Sequence, residues 1–166
     1  RNISELVEPV MNHQAPYTSP KMEENQDAST LSGNTLVQIT WLTIRLAVGG
    51  LMIHNGLDKL ADIPGFAEGV VSFIGLPYPV FFSYCAAYTE IVGSVLLLLG
   101  LLVRPSAAAL LGTMGVAIFF HLKANGLAAA PLETATLYAA IYTFLLTNGA
   151  GQWSIDEWLA NRVDAD

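Results

Sequence analysis

The chain has 166 residues, of which 53% are hydrophobic and only 13% are charged. A soluble domain usually carries roughly 25% charged residues, so this composition favours an integral membrane protein in contact with a lipid bilayer. The net charge is −7, whereas phosphate binding needs a basic face, so we expect no nucleic acid partner. The one cysteine, Cys85, can form no disulfide within the chain.

The N-terminal residues 1–34 are polar and rich in Pro, Asn, Ser and Glu. This composition buries too little apolar surface to fold alone, so we expect an extended acidic arm. Such an arm becomes ordered when it lies on a partner. It therefore points, with the helix faces described next, to contacts with other membrane-protein subunits.

Four apolar segments occupy most of residues 35–151. Each is long enough to cross a bilayer core of about 30 Å. Short connections make consecutive helices antiparallel neighbours. The prediction is an all-α fold: an antiparallel bundle of four transmembrane helices, followed by an acidic tail at residues 152–166. The predicted spans are 36–54, 79–103, 106–122 and 132–148.

A shorter amphipathic segment separates the first two spans. Within residues 64–75, Phe66, Val70, Phe73 and Ile74 recur at helical spacing. This pattern predicts a short helix in the membrane interface, with its apolar face against lipid or over the mouth of the bundle. A plain connecting helix and a lid are both compatible with it.

Two charged residues fall near the middle of the predicted spans, Arg45 in the first and Glu90 in the second. A lone charge at this depth is costly, and a hydrogen-bonded partner greatly reduces the cost. Glu90 has the small neighbours Ala86 and Gly93 and should face the bundle interior. We therefore expect Arg45 and Glu90 to form a buried ion pair, which either fixes helix register or serves a proton relay or a ligand.

A second polar group gathers where the spans end on the side away from the termini. Three interpretations stay open: a solvated helix-end cluster, a pocket for an amphipathic ligand, or a metal site. No pair of histidines or of Glu and His has metal-ligand spacing on one helix, so we assign no metal. The candidate pocket residues are His54, Asn55, Lys59, His121 and Glu133.

Sequence motifs for covalent or nucleotide chemistry are absent. The chain has no glycine-rich nucleotide loop, no nucleophile elbow and no cysteine pair. We therefore assign no catalytic residue, and a non-enzymatic role is favoured.

Several short stretches together resemble the DoxX-like four-helix membrane proteins. The similarity extends over about residues 45–156 and rests on the order and spacing of the stretches. One position departs from the family pattern, because Asn55 stands where the family usually has a histidine and His54 comes one residue earlier. That shift turns a side chain by about 100° on a helix. The matching stretches are Arg45, Gly56–Leu60, Phe73–Pro77, Glu90–Gly93, Leu99–Arg104, Glu133 and Gly149–Asp156.

The resemblance implies a four-span fold and an association with membrane redox systems, including quinone-linked thiosulfate oxidation in some relatives. The arm at residues 1–34 lies outside the family pattern and suits a chain built into a larger assembly. The leading hypothesis is an accessory subunit of a respiratory or photosynthetic membrane complex, in a thylakoid or bacterial inner membrane. It would contact lipid or a chlorophyll-type pigment. The alternatives are a small quinone-linked oxidoreductase component and a free-standing lipid or small-molecule handling protein.

Overall fold

The computed structural model describes residues 20–128 and 130–163, with side chains over 35–127 and 130–163. Every described element is helical. The chain divides after Val37 into two units, and all contacts reported below lie within the second, Gln38–Asp166. The helices are α1 (Pro20–Ala61), α2 (Ile63–Phe66), α3 (Pro79–Leu99), α4 (Val103–Asn125), α5 (Ala130–Asn148) and α6 (Ile155–Val163); a π-helical turn (Ala67–Ser72) follows α2, and a 3-10 turn (Gly126–Ala128) follows α4.

Among the described residues, three helices are long and apolar enough to cross a membrane: Thr35–Ala61, Pro79–Leu99 and Val103–Asn125. Their lengths of 27, 21 and 23 residues correspond to at least about 30 Å at ~1.5 Å per residue. This confirms an all-helical membrane protein for the described residues. The fourth predicted span coincides with α5, whose 19 residues include Glu133 and several threonines.

Buried apolar residues of α1, α3, α4 and α5 form one hydrophobic core. α5 packs mainly on α4, and α4 packs on α3. The largest fully buried members of the core come from all four helices, which places their inner faces around a common centre. The core residues are Val48, Met52, Leu97, Val103, Ala107, Leu110, Met114, Ala135, Tyr142 and Leu145.

The N-terminal arm differs from its prediction over residues 20–34. This segment is the first part of α1 rather than an extended chain. Pro20 opens the helix at a position that needs no N–H donor, and a helix propagates more easily than it nucleates, so the apolar span can extend it upstream. Residues 1–19 of the predicted arm lie outside the described residues.

The junction between α3 and α4 also differs from its prediction. α3 ends at Leu99 because Gly100 takes a left-handed conformation with φ of 69°. α4 begins at Val103, so Arg104 and Pro105 lie in its first turn instead of ending the previous span. Proline is tolerated there because a first-turn N–H has no partner within the helix.

The acidic C-terminal tail contains a helix that we did not predict. α6 covers Ile155–Val163 and has no buried residue. The carboxylate of Asp156 accepts hydrogen bonds from the N–H groups of Leu102 at 2.7 Å and Val103 at 2.9 Å. The tail therefore caps the start of α4, whose first N–H groups have no partner within the helix.

Candidate functional site

A buried ion pair joins the end of α1 to the middle of α3. The Nζ of Lys59 lies 2.6 Å from Oε2 of Glu90, and the side chain of Glu90 is only 2% exposed. The same Nζ lies 5.4 Å from the centre of the Phe66 ring. An ammonium above an aromatic face is attracted to the ring quadrupole. The position of Lys59 is therefore fixed by a carboxylate and by a ring.

Close backbone packing brings this lysine within reach of Glu90. A Cβ placed on Gly56 would lie 3.0 Å from the carbonyl oxygen of Ala87 and 3.3 Å from Cβ of Glu90. Glycine thus allows the last turns of α1 to approach α3 closely. Lys59 follows Gly56 by about one helical turn, which places its side chain over Glu90.

The predicted pair of Arg45 and Glu90 is wrong. Arg45 is buried at 1% exposure and donates hydrogen bonds to the backbone oxygens of Ala150 at 2.8 Å and Trp153 at 2.7 Å. These carbonyls belong to the chain between α5 and α6. Arg45 therefore binds the C-terminal segment, while the partner of Glu90 is Lys59.

Helix register explains the error. Gly49 lies beside Ser94 and Leu98, and Gly56 lies beside Ala87 and Ile91, so α1 and α3 run antiparallel with Glu90 opposite the end of α1. The predicted pair requires the midpoints of the two spans to lie opposite each other. The observed register of α1 against α3 differs from this by about ten residues, or ~15 Å along the helix axis.

A cavity of about 550 Å³ extends from the ion pair between α3, α4 and the segment after α1. Its polar lining residues are Lys59, Thr89, Glu90, Thr113 and His121. Its remaining wall is apolar, and the exposed side chains of Leu76, Phe82 and Val116 lie at its rim. We call it the lipid-facing cavity. The apolar wall comprises Phe66, Val70, Val71, Leu76, Phe82, Cys85, Ala86, Ala109, Gly112, Met114, Val116, Ala117 and Phe120.

Small residues on α4 leave room for this cavity. A Cβ added to Gly112 would meet no atom within 4 Å, although one added to Gly93 would lie 3.1 Å from Leu110. Glycines in membrane helices commonly allow close packing, as Gly93 does. Gly112 instead borders open space. The small residues of α3 and α4 therefore serve both helix packing and the cavity.

A second cavity of about 430 Å³ reaches the same ion pair from the side of α5. It lies where α1 and α4 end and α5 begins, and we call it the helix-end cavity. The two cavities share Lys59, Glu90, Met114, Ala117 and His121. The other residues lining the helix-end cavity are Asn55, Ala130, Pro131, Thr134 and Ala135.

His121 borders both cavities and has an unused hydrogen-bonding atom. Its Nδ1 is buried without a hydrogen-bond partner among the residues that the structure describes. The ring packs edge-on against Phe120, with 5.0 Å between ring centres. A neutral imidazole offers one donor and one acceptor, so the hydrogen-bonding capacity of His121 at Nδ1 is not used by any described residue.

The structure brings together some of the candidate pocket residues and separates others. Asn55, Lys59 and His121 line the helix-end cavity together with Glu90. His54 is exposed and lies 3.4 Å from Asp58, while Glu133 is exposed on α5 and lines neither cavity. Among the described residues, no group of three or more His, Cys, Asp or Glu side chains could hold a metal ion.

The sequence did not predict that the connection between α1 and α3 lines a cavity. Phe66, Val70 and Val71 of this segment line the lipid-facing cavity. Lys123 ties the connection to α4, because its Nζ donates a hydrogen bond of 2.9 Å to the backbone oxygen of Phe73. The helical spacing did not identify the buried face, because Phe73 is 44% exposed and the buried residues of this connection are Ile63, Ala67 and Val71.

Three apolar helices of membrane-spanning length, with a buried ion pair between two of them, define a helical integral membrane protein. The sequence model of the DoxX family matches residues 40–122, and the chain belongs to the DoxX family. This confirms the family and the membrane location expected from the sequence.

Two relatives extend this similarity. An uncharacterised membrane protein of Mycobacterium tuberculosis is 34% identical over 138 residues, which cover 75% of this chain and 83% of the relative. An uncharacterised protein of Haemophilus influenzae is 32% identical over 118 residues, which cover 68% of this chain and 85% of the relative. No solved structure matches the chain.

Proposed function

We propose that this DoxX-family protein binds a neutral amphipathic small molecule in the lipid-facing cavity. The supporting observation is the Lys59–Glu90 pair, which lines a largely apolar cavity and in which Glu90 is only 2% exposed. Small-molecule sites are typically apolar cavities of about 300–1,000 Å³ with a few polar groups that orient the ligand. The cavity of about 550 Å³ has both features.

The charge balance of the Lys59–Glu90 pair favours a ligand with a neutral head group. Lys59 and Glu90 compensate each other, so an ionic head group would leave an unpaired charge in an apolar site, which is costly. The groups left to bind a ligand are the remaining N–H groups of Lys59 and the second oxygen of Glu90. These donors and acceptors suit a carbonyl or a hydroxyl group. The ligand class that we propose is therefore a quinone or a phenol with an apolar tail.

The exposed rim favours entry of the ligand from the bilayer. Leu76, Phe82 and Val116 are 37%, 36% and 43% exposed beside the cavity. Phe82 and Val116 lie on α3 and α4, and on helices that cross a membrane exposed apolar side chains of this kind face lipid; Leu76 lies in the connection before α3. An amphipathic ligand dissolved in the bilayer can then enter sideways between α3 and α4.

This function requires the four-span architecture predicted from the sequence, with α5 as the fourth span and α2 at the membrane interface. Support comes from the common core of α1, α3, α4 and α5. With a quinone as ligand, the chain would be the quinone-binding part of a membrane redox system, which was the first alternative. The accessory-subunit, pigment and thylakoid hypotheses stay predictions, because neither relative is described as a subunit of a complex.

Matched leucine substitutions test the proposed ligand site. The purified protein in lipid nanodiscs is titrated with decylubiquinone, a quinone with a ten-carbon tail. Gly112→Leu puts a side chain into the lipid-facing cavity and should weaken binding at least about tenfold, a loss of ~1.4 kcal/mol. Gly115→Leu makes the same change on α4 at a position that also has no neighbour within 4 Å but lines neither cavity.

The control variant should bind decylubiquinone within about twofold of the wild type, a difference well below 1.4 kcal/mol. Absence of saturable binding to the wild type would overturn the proposal. So would equal affinities of the two leucine variants, because the ligand would then occupy another surface.

A further inference from the structure

The helix-end cavity has polar lining residues that an apolar ligand tail would not require. Asn55 and Thr134 face it, in addition to the three polar residues that it shares with the lipid-facing cavity. Its residues come from the end of α1, the second half of α4 and the first turns of α5, together with Glu90 in the middle of α3. Pro131 and Thr134 are exposed at its rim. In membrane helices of this length, such terminal turns lie close to the aqueous phase.

Water in this cavity would meet the ion pair from the side of α5. A cavity of about 430 Å³ in which half of the lining residues are polar is large enough and polar enough to hold water. His121 lines both cavities, and its Nδ1 is buried without a hydrogen-bond partner among the described residues, a state that buried polar atoms normally avoid.

The titratable groups around Glu90 come from three helices. Lys59 of α1 pairs with it, and His121 of α4 lines both of its cavities. Tyr142 of α5 is buried in the same core as Met114 and Ala135, which line the helix-end cavity. Among the described residues, no other Asp, Glu, Lys, Arg or His lines either cavity. The protonation of this small group therefore depends on which side water can reach.

We propose that the helix-end cavity is an aqueous route through which Lys59, Glu90 and His121 exchange protons with the water on the non-terminal side of the membrane. The group of Lys59, Glu90 and His121 then has two separate entrances. The ligand enters from lipid through the lipid-facing cavity, and protons enter from water through the helix-end cavity. The coupling to a ligand rests on the proposed function, whereas the water route itself does not. The exchange is an acid–base step only: a proton leaves a nitrogen or carboxyl oxygen of these groups for water, or returns from it.

Cysteine accessibility tests the water route without any ligand. Methanethiosulfonates react with the thiolate, which forms in water and not in an apolar core. In a Cys85→Ala background in liposomes, Ala135→Cys places a thiol on the wall of the helix-end cavity, where the native residue is only 6% exposed. Ala107→Cys is the matched control: its native residue is 0% exposed and lines neither cavity.

A charged methanethiosulfonate should label Ala135→Cys at least about tenfold faster than Ala107→Cys, in line with greater formation of thiolate at a wet site. Equal, slow labelling of both variants would overturn the proposal. Leu137→Cys, on the exposed face of α5, measures the reaction of a thiol at the lipid surface. If it reacts as fast as Ala135→Cys, the label does not arrive through the cavity, which would also overturn the proposal.

Decylubiquinone separates failure of this inference from failure of the proposed function. In the native chain, Cys85 is exposed and lines the lipid-facing cavity. Bound quinone should slow the reaction of Cys85 with lipid-soluble N-ethylmaleimide but leave the labelling of Ala135→Cys unchanged. Unprotected Cys85 would contradict the proposed function. Quinone that blocked Ala135→Cys would contradict the separation of the two entrances.

Discussion

The ion pair of Lys59 and Glu90 leads to a quantitative prediction for protein stability. Lys59→Met removes the ammonium and leaves a carboxylate that is 2% exposed without its charged partner. Breaking a buried ion pair from one side typically costs ~3–5 kcal/mol. Glu90→Gln should cost less, about 1–3 kcal/mol, because Lys59 is 20% exposed and can still donate to the amide oxygen. The double variant should lose less than the sum of the single losses.

A pair of double-mutant cycles measures this coupling. The free energy of unfolding is determined in mixed micelles by titration with sodium dodecyl sulfate. We expect a coupling energy of at least ~1 kcal/mol between Lys59 and Glu90, within the range of residues in direct contact. The control cycle combines Arg45→Met with Glu90→Gln and should be additive within ~0.5 kcal/mol, since Arg45 binds backbone carbonyls of the C-terminal segment. A larger coupling in the control cycle would refute the assignment of partners.

Two further predictions concern helix contacts in the same unfolding assay. Asp156→Ala should destabilise the protein by about 1–3 kcal/mol, because two N–H groups at the start of α4 lose their acceptor, whereas exposed Glu157→Ala should change stability by less than ~0.5 kcal/mol. Equal losses of stability in the two variants would contradict a capping role for Asp156. Gly56→Ala should cost about 1–3 kcal/mol because the new Cβ would lie 2.6 Å from Ile91, while Gly50→Ala, with no neighbour within 4 Å, should stabilise α1 by ~0.5–1 kcal/mol. A Gly56→Ala variant as stable as the wild type would contradict the close packing of α1 on α3.

Hydrophobic length and turn chemistry predicted most of the membrane helices. Three predicted spans match helices of membrane-spanning length, because continuous apolar character is a strong signal. The junction of α3 and α4 was less predictable. Leu102 has a positive φ of 50°, and its own N–H group and that of Val103 are capped by Asp156 from 54 and 53 residues away. Local sequence contains no sign of so distant a cap, and α6 was missed because it is short and polar.

The candidate site was predictable in composition but not in pairing. Asn55, Lys59 and His121 could be grouped from the sequence because they lie at the ends of the first and third predicted spans, on the same side, and the structure places them around one cavity. The partner of Glu90 could not be found in this way. It depends on the register between α1 and α3, which is set by close packing at Gly49 and Gly56. A helix pattern shows which face is buried but not how far one helix slides along the other.

Photo-cross-linking most directly tests whether the lipid-facing cavity binds a neutral amphiphile. A quinone with a diazirine on a ten-carbon tail is irradiated with the protein in nanodiscs, and the labelled peptides are identified by mass spectrometry. We expect labels on the cavity walls, at residues 82–86 of α3 and 112–120 of α4, that excess decylubiquinone removes. Labels that resist competition, or that collect on the outer face of α5 around Leu137, would contradict the ligand site.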